Sequence, residues 1–259
     1  TIGARITRAK KTLAEVGAPV EEPAEDERPD RLSAVLGVLY LLFNEGYSAT
    51  AGTDLVRTTL SAEAIRLGRV LTSLMPDEPE ATGLLALMLL HYARRDSRLD
   101  QAGDLVTLDE QDRGQWHAAE ITEGVALLDG ALRRGQAGPY QVQAAIAACH
   151  ATAADAADTD WPQIAALYGQ LVRRVPSPVV KLNQAIAVGM AHGPAAGLSL
   201  LDALAEPLAG YHLLPATRAD LLRRLGRAGE AAAAYREARA LAPTDTERRF
   251  LDRRLAESS

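Results

Sequence analysis

The residue types that most often carry out chemistry in proteins are few and scattered in this chain. The five histidines are far apart, no two lie four residues apart around a glutamate, and one cysteine cannot form a Cys-x-x-Cys zinc motif. Cys149 and His150 are neighbours, but adjacent residues of a helix point about 100° apart and make a poor nucleophile–base pair. No phosphate loop and no Gly-x-Ser-x-Gly motif occurs. The sequence therefore predicts a protein that is not an enzyme, with no catalytic residue, no metal site and no cofactor.

Two polar clusters stand beside apolar runs. The first is Asn44-Glu45-Gly-Tyr47, at the end of an apolar stretch, and the second runs from Asp109 to Arg113, shortly before Trp116. The second cluster can hold a ligand or a metal ion. Alternatively, and in our view more in keeping with its position, Asp112 and Arg113 cap helices and tie the loop to Arg94 or Arg95.

Buried polar residues need partners, and one network shared by the two clusters would supply them. We expect Asn44 or Glu45 to lie near Arg94, Asp112 or Arg113. The candidate structural or ligand-binding network comprises Asn44, Glu45, Tyr47, Arg94, Asp112, Arg113 and Trp116.

The N-terminal segment separates positive from negative charge. Its basic residues are Arg5, Arg8, Lys10 and Lys11, whereas residues 21–30 carry six acids, one base and two prolines. We predict a basic helix over residues 1–15 and an extended acidic linker over 16–30, because proline and like charges oppose a helix there. The basic face is either a solvated surface or a set of phosphate contacts.

The elements that must position these residues are helices. Hydrophobic residues make up 47% of the 259 residues, alanine and leucine dominate, and aromatic residues are only 4%, so we predict an all-α fold. No apolar run approaches the roughly 18 residues that span a bilayer, which predicts no membrane partner. One cysteine is consistent with a reducing cytoplasm, and a net charge of −6 argues against nucleic-acid binding by the chain as a whole.

A helical bundle is predicted over residues 31–135. Ser61 is expected to cap the second helix of this bundle, and Asp77 with Glu80 should form a capping box for the next one. That next helix, which ends near Arg95, is apolar nearly all round and should be central.

A 34-residue period organises the C-terminal half. Units starting at Asp160, Pro194 and Ala228 each read as a helix, a break and a second helix, and Thr244 with Glu247 predicts a capping box near the end. Such units must stack to bury their apolar faces. Residues 138–259 are therefore predicted to form tetratricopeptide-like helical hairpins, an α–α superhelix that typically binds other proteins.

Several sequence blocks resemble one family. Residues 1–19 resemble the end of the recognition helix in the −35-reading helix-turn-helix of extracytoplasmic-function sigma factors. Further blocks are similar to a group of those factors with a large tetratricopeptide-like extension, and include Asn44-Glu-Gly-Tyr47 and Gln111-Asp-Arg113. The blocks are Leu39–Thr50, Leu84–Arg95, Leu108–Trp116, Gly138–Ile146 and Pro176–Asn183.

The resemblance implies a regulatory C-terminal domain of a sigma factor, acting through intramolecular or protein–protein contacts. Its implied partners are RNA polymerase, the missing sigma domains and, through the intact factor, promoter DNA. Arg5, Arg8, Lys10 and Lys11 are the implied DNA-binding residues. We expect the chain to be a C-terminal piece that lacks the polymerase-binding domain and most of the helix-turn-helix. The alternatives are a small-molecule-sensing helical domain and a stand-alone tetratricopeptide-like adaptor.

Overall fold

The computed structural model describes residues 24–47 and 54–257, together with positions 8, 11, 12 and 15–17 near the N-terminus. The predicted loop at 48–53, Arg5 and Lys10 lie outside these residues. Backbone contacts divide the chain into two compact units, residues 1–38 and residues 39–259. The second unit contains nearly all of the predicted bundle and all of the described hairpins.

Helices account for nearly all regular structure in the described residues, which confirms the all-α prediction. A single antiparallel bridge between Leu99 and Leu105 is the only strand-like pairing in that part of the chain. None of the helices described there is long and apolar enough to cross a membrane. The helices are α1 (Arg28–Tyr47), α2 (Asp54–Leu74), α3 (Pro79–Tyr92), α4 (Ala118–Leu132), α5 (Pro139–Thr152), α6 (Trp161–Arg174), α7 (Pro178–His192), α8 (Pro194–Leu201), α9 (Leu213–Arg224), α10 (Ala228–Leu241) and α11 (Asp245–Glu257).

Helix α3 is the centre of the predicted bundle. Its side chains are buried on every face from Leu84 to Leu90, and it packs against α2, α4 and α5. The prediction of a central helix is therefore confirmed. A helix that is apolar all round has to be surrounded, because any open face would leave apolar surface in water.

Two predicted helix caps are wrong, and both side chains make a contact with a different helix. Ser61 lies inside α2, where its buried hydroxyl donates to the carbonyl oxygen of Phe43 at 3.1 Å. The cap residue of α3 is Glu78, which makes no side-chain capping bond. Glu80 instead accepts hydrogen bonds from the backbone N–H groups of Tyr140 (2.9 Å) and Gln141 (3.1 Å), at the N-terminus of α5.

This cap requires a glycine beside it. A Cβ atom on Gly138 would lie 2.3 Å from Cδ of Glu80, and Gly138 is the residue that precedes α5. The absence of a side chain at position 138 therefore lets the Glu80 carboxylate reach the exposed N–H groups of the first turn.

The hairpins follow the predicted period. The three predicted units are α6 with α7, α8 with α9 and α10 with α11, and the two helices of each unit pack together. Neighbouring units also pack on each other, α7 with α8 and α9 with α10, and α5 packs on α6. The predicted capping box is confirmed, because Thr244 Oγ1 accepts from the Glu247 N–H at 3.2 Å while Glu247 accepts from the Thr244 N–H at 3.1 Å. The apolar positions that repeat every 34 residues are buried or half-buried, for example Ile164 and Ala232.

Candidate functional site

A long connection between α3 and α4 lies across the hairpins, and residues 98–112 of it are called the strap. Two sets of local hydrogen bonds shape the strap. The Asp100 carboxylate accepts from the N–H groups of Ala102 and Asp104, both at 2.9 Å, and the Val106 N–H donates to the Arg98 carbonyl at 3.0 Å. These bonds fold the strap into a turn followed by an extended stretch.

Arginines of α11 hold the extended stretch and the turn at residues 108–110 that follows it. Arg249 Nε donates to the Asp104 carboxylate at 2.5 Å, Arg253 Nη2 donates to the carbonyl oxygen of Leu105 at 3.0 Å, and Arg254 Nη2 donates to Glu110 at 2.6 Å. We call these three contacts the latch. The latch joins residues that are about 145 positions apart in the sequence.

The Glu110–Arg254 contact joins a largely buried guanidinium to an exposed carboxylate. The Arg254 side chain is 14% exposed and also pairs with Glu257 at 3.0 Å. Burial alone would raise the pKa of Glu110, but hydrogen bonds from Thr107 and Arg254 outweigh it and hold that pKa below its usual range. Glu110 is therefore ionised near neutral pH, as a charge-assisted pair requires.

Beneath the strap lies a groove lined mainly by α5, α7, α9 and α11. One cavity of about 230 Å³ is bounded by Thr107 of the strap and by residues of α7, α9 and α11, including Ile186 and Phe250. A second, of about 180 Å³, is bounded by Leu108 and extends to His150 of α5. The two cavities share Asp109, Ile186, Met190, Asp220 and Arg224, so they form one continuous groove.

The base of the strap contains part of the predicted polar network. Trp116 Nε1 donates to the Ser97 hydroxyl at 2.9 Å, that hydroxyl donates to the Arg94 carbonyl at 3.0 Å, and the Arg94 guanidinium lies 3.4 Å from Gln111 Oε1. The Arg94 guanidinium is also 5.8 Å from the ring centroid of Tyr47. The structure thus brings Tyr47, Arg94 and Trp116 together through Ser97 and Gln111, which are not among the predicted network residues.

Two other predicted members, Asp112 and Arg113, bond mainly to backbone groups. Asp112 accepts from the Gly114 N–H at 2.9 Å and caps a short turn. Arg113 donates to the carbonyl oxygens of His150 (2.5 Å) and Ala153 (2.9 Å) at the end of α5, and its guanidinium lies 4.5 Å above Trp116.

Within the described residues, the expected contacts of Asn44 or Glu45 with Arg94, Asp112 or Arg113 are not formed. Asn44 is half-buried and Glu45 is exposed. From this end of α1 it is Tyr47 that meets α3, with its ring 5.4 Å from that of His91.

Two buried imidazoles flank Arg94. Burial and the charges of Arg94 and Arg98 lower the pKa of His91 to about 3, and burial with Arg94 and Arg113 lowers the pKa of His150 to about 4. Both imidazoles are neutral at pH 7. The cavity between them has a volume of only about 20 Å³, enough for about one water molecule. It is too small to be a ligand pocket.

The basic N-terminal residues are only partly described. Arg8 and Lys11 are exposed and lie in helical backbone, and Lys11 forms a 3.7 Å ion pair with Glu15 in which both side chains are exposed. Exposed pairs contribute little stability, so these cations stay accessible to a ligand. Among the side chains that the structure describes, no group of three or more His, Cys, Asp or Glu residues can hold a metal ion.

Comparison with known proteins supports the architecture. The solved structure of TTC0263, described as a thermophilic TPR protein of Thermus thermophilus, matches with a TM-score of 0.50 and 17% identity, over 79% of this chain and 93% of that chain. At this identity the match bears on the fold alone, and it agrees with the predicted helical superhelix.

Two sequence matches complete the comparison. Residues 31–132 match the model of DUF6596, a family of unknown function, over a range close to the predicted bundle. The uncharacterized protein R00370 of Rhizobium meliloti (strain 1021) is 48% identical over 247 residues, which are 95% of this chain and 58% of that protein. The chain therefore spans less than two thirds of the length of this relative.

Proposed function

We propose that this chain is the regulatory C-terminal part of an extracytoplasmic-function sigma factor, which directs RNA polymerase to promoters. The proposal is carried by one observation: the sequence blocks that resemble this family contact one another in the fold. Tyr40 packs edge-to-face on Tyr140 with ring centroids 5.6 Å apart, Tyr47 contacts His91, and Arg94 reaches Gln111. Four of the five blocks that follow the N-terminal segment are thus joined around α3.

The intact protein would supply the rest of the machinery. The Rhizobium meliloti relative extends well beyond the matched region, which leaves room for a polymerase-binding domain and a helix-turn-helix in a protein of this kind. In such a factor, Arg5, Arg8, Lys10 and Lys11 would contact promoter DNA, and the helical superhelix would contact the sigma core or the polymerase. The proposal places the protein in the cytoplasm and assigns no chemical step to this part of it.

A transcription assay with purified RNA polymerase tests the proposal. The intact factor is compared with a version truncated after residue 30, at equal occupancy of the polymerase. We expect the truncated factor to lose promoter-specific transcription, and unchanged transcription would refute an essential regulatory role.

The DNA contacts are tested separately. Replacing Arg8 and Lys11 by alanine in the intact factor should weaken promoter binding and reduce the slope of log K against log salt by about 0.9 for each phosphate that is no longer neutralised. A matched change of the exposed Arg236, which lies far along the chain on α10, should leave both quantities unchanged.

A stand-alone tetratricopeptide-like adaptor is the second candidate, and the groove beneath the strap is the observation that favours it. Concave faces of helical repeats are common binding surfaces for other proteins. If the intact protein binds neither RNA polymerase nor promoter DNA, the adaptor function is favoured over the sigma-factor function.

A further inference from the structure

The strap meets the superhelix in the way that a bound peptide would. Its residues 104–107 are extended and residues 108–110 form a turn, and together they present two carboxylates and a main-chain carbonyl to three arginines of one helix. We propose that the groove is a docking site for an extended acidic segment of a partner protein, and that the strap is an intramolecular ligand that this segment displaces. The inference does not depend on the sigma-factor proposal.

The chemistry of the latch selects acidic segments. Arg249 and Arg254 each bind a carboxylate, while Arg253 binds the main chain at Leu105. Guanidinium–carboxylate bonds give charge selectivity, and a main-chain contact is indifferent to sequence but requires an extended backbone. Together they specify an acidic, extended occupant.

The strap leaves part of the groove empty. The cavities of about 230 and 180 Å³ have Ile186 and Met190 in common, with Phe250 beside the first. These apolar side chains suit an occupant whose acidic residues alternate with apolar ones, because an extended chain directs successive side chains to opposite faces. The strap itself combines both residue types, in Asp104-Leu-Val-Thr-Leu-Asp-Glu110.

The contacts of the latch can be replaced by contacts with another acidic segment. The Arg249 and Asp104 side chains are 50% and 25% exposed, so water and salt compete with their ion pair. The strap has the advantage of being in the same chain, which gives it a high effective concentration. Weakening the latch should therefore make the groove available to an added peptide.

The test uses the full 259-residue chain and a fluorescein-labelled peptide of residues 103–112, with binding followed by fluorescence anisotropy. In the opened variant, Asp104→Asn with Glu110→Gln, we expect the peptide to bind about tenfold more tightly than to the unaltered chain, since the competent fraction of the groove is larger. A peptide in which the acids are replaced by their amides should bind at least about tenfold more weakly.

Variants of the groove complete the design. Adding Arg249→Ala and Arg253→Ala to the opened variant should abolish binding, whereas adding Arg236→Ala should not. The proposal is overturned if opening the latch does not tighten binding, if the neutral peptide binds equally well, or if the arginine changes have no effect.

A second measurement avoids reliance on the variants folding. Nuclear magnetic resonance of the unaltered chain, isotope-labelled and with and without saturating unlabelled peptide, should show a shifted signal for the carbonyl carbon of Leu105, whose oxygen accepts from Arg253 in the latch. An unchanged Leu105 signal at saturation would equally overturn displacement of the strap.

Discussion

Replacing Glu80 by alanine removes the acceptor for the first backbone N–H groups of α5. The Glu80 carboxylate accepts from the N–H groups of Tyr140 and Gln141, and from the Gln141 side-chain amide at 3.0 Å. Loss of a helix cap costs about 0.5–2 kcal/mol, and loss of a negative charge at a helix N-terminus costs about 0.3–1 kcal/mol more. We therefore expect Glu80→Ala to lower the free energy of unfolding by about 2 kcal/mol.

Gly138→Ala should act through the same contact. The added Cβ would lie 2.3 Å from the Glu80 carboxyl carbon, so the carboxylate must move away from the N–H groups. The backbone at residue 138 has φ −99° and ψ −174°, which alanine adopts without strain. The cost should thus be about 2 kcal/mol in the unaltered chain and below about 1 kcal/mol once Glu80 is alanine, a coupling in the range found for contacting residues.

Urea unfolding of the four proteins of this cycle measures the coupling, provided that the dependence of the unfolding free energy on urea is the same in all of them. Glu78→Ala is the matched control, because Glu78 precedes α3 without making a side-chain capping bond, and it should change stability by less than about 0.5 kcal/mol. Additive effects of the Glu80 and Gly138 changes would refute the reasoning.

Three further predictions concern stability. Gly197→Ala should lower the free energy of unfolding by about 1–3 kcal/mol, because its Cβ would lie 2.7 Å from the Ala185 carbonyl oxygen. Gly229→Ala is the control: position 229 has open space around it, so this change should be neutral or stabilising in the same urea assay. The unfolding free energy should fall as the pH drops below about 6.5, because His91 has a pKa of about 3 in the fold and only the unfolded chain binds the extra proton. If the unfolding free energy of a His91→Asn variant depended on pH with the same slope as that of the unaltered chain, this prediction would be contradicted. Ser61→Ala should cost about 1 kcal/mol in thermal unfolding, because the variant cannot make the hydrogen bond to α1, and an unchanged midpoint would show that the bond adds nothing.

The helices could be predicted from the sequence because their signals are local. Proline marks the first turns of α3, α5, α7 and α8, where its missing N–H costs nothing. The Thr244–Glu247 box sits within one turn. Each of these features depends on residues a few positions apart.

Contacts between distant elements could not be predicted in this way. Glu80 has the spacing of a local capping box, yet it caps α5, because the packing of α3 on α5 places it there. Arg249 and Arg254 look like solvated charges of an amphipathic helix, and nothing in their neighbourhood in the sequence indicates partners near residue 105. In the polar network, Tyr47 could be predicted from its place at the end of an apolar helix, and Gln111 stands out only as part of the Gln111-Asp-Arg113 block, whereas Ser97 has no distinguishing sequence signal.

The latch also has a consequence for how the chain is made. Repeats fold largely through contacts between neighbours, so the hairpins can form one after another as they leave the ribosome. The strap emerges from the ribosome early, but Arg249, Arg253 and Arg254 are synthesised about 145 residues later. At roughly 5–20 residues per second, the strap is exposed for about 7–29 seconds before the arginines of α11 have been made, so the latch can close only after the groove itself has formed.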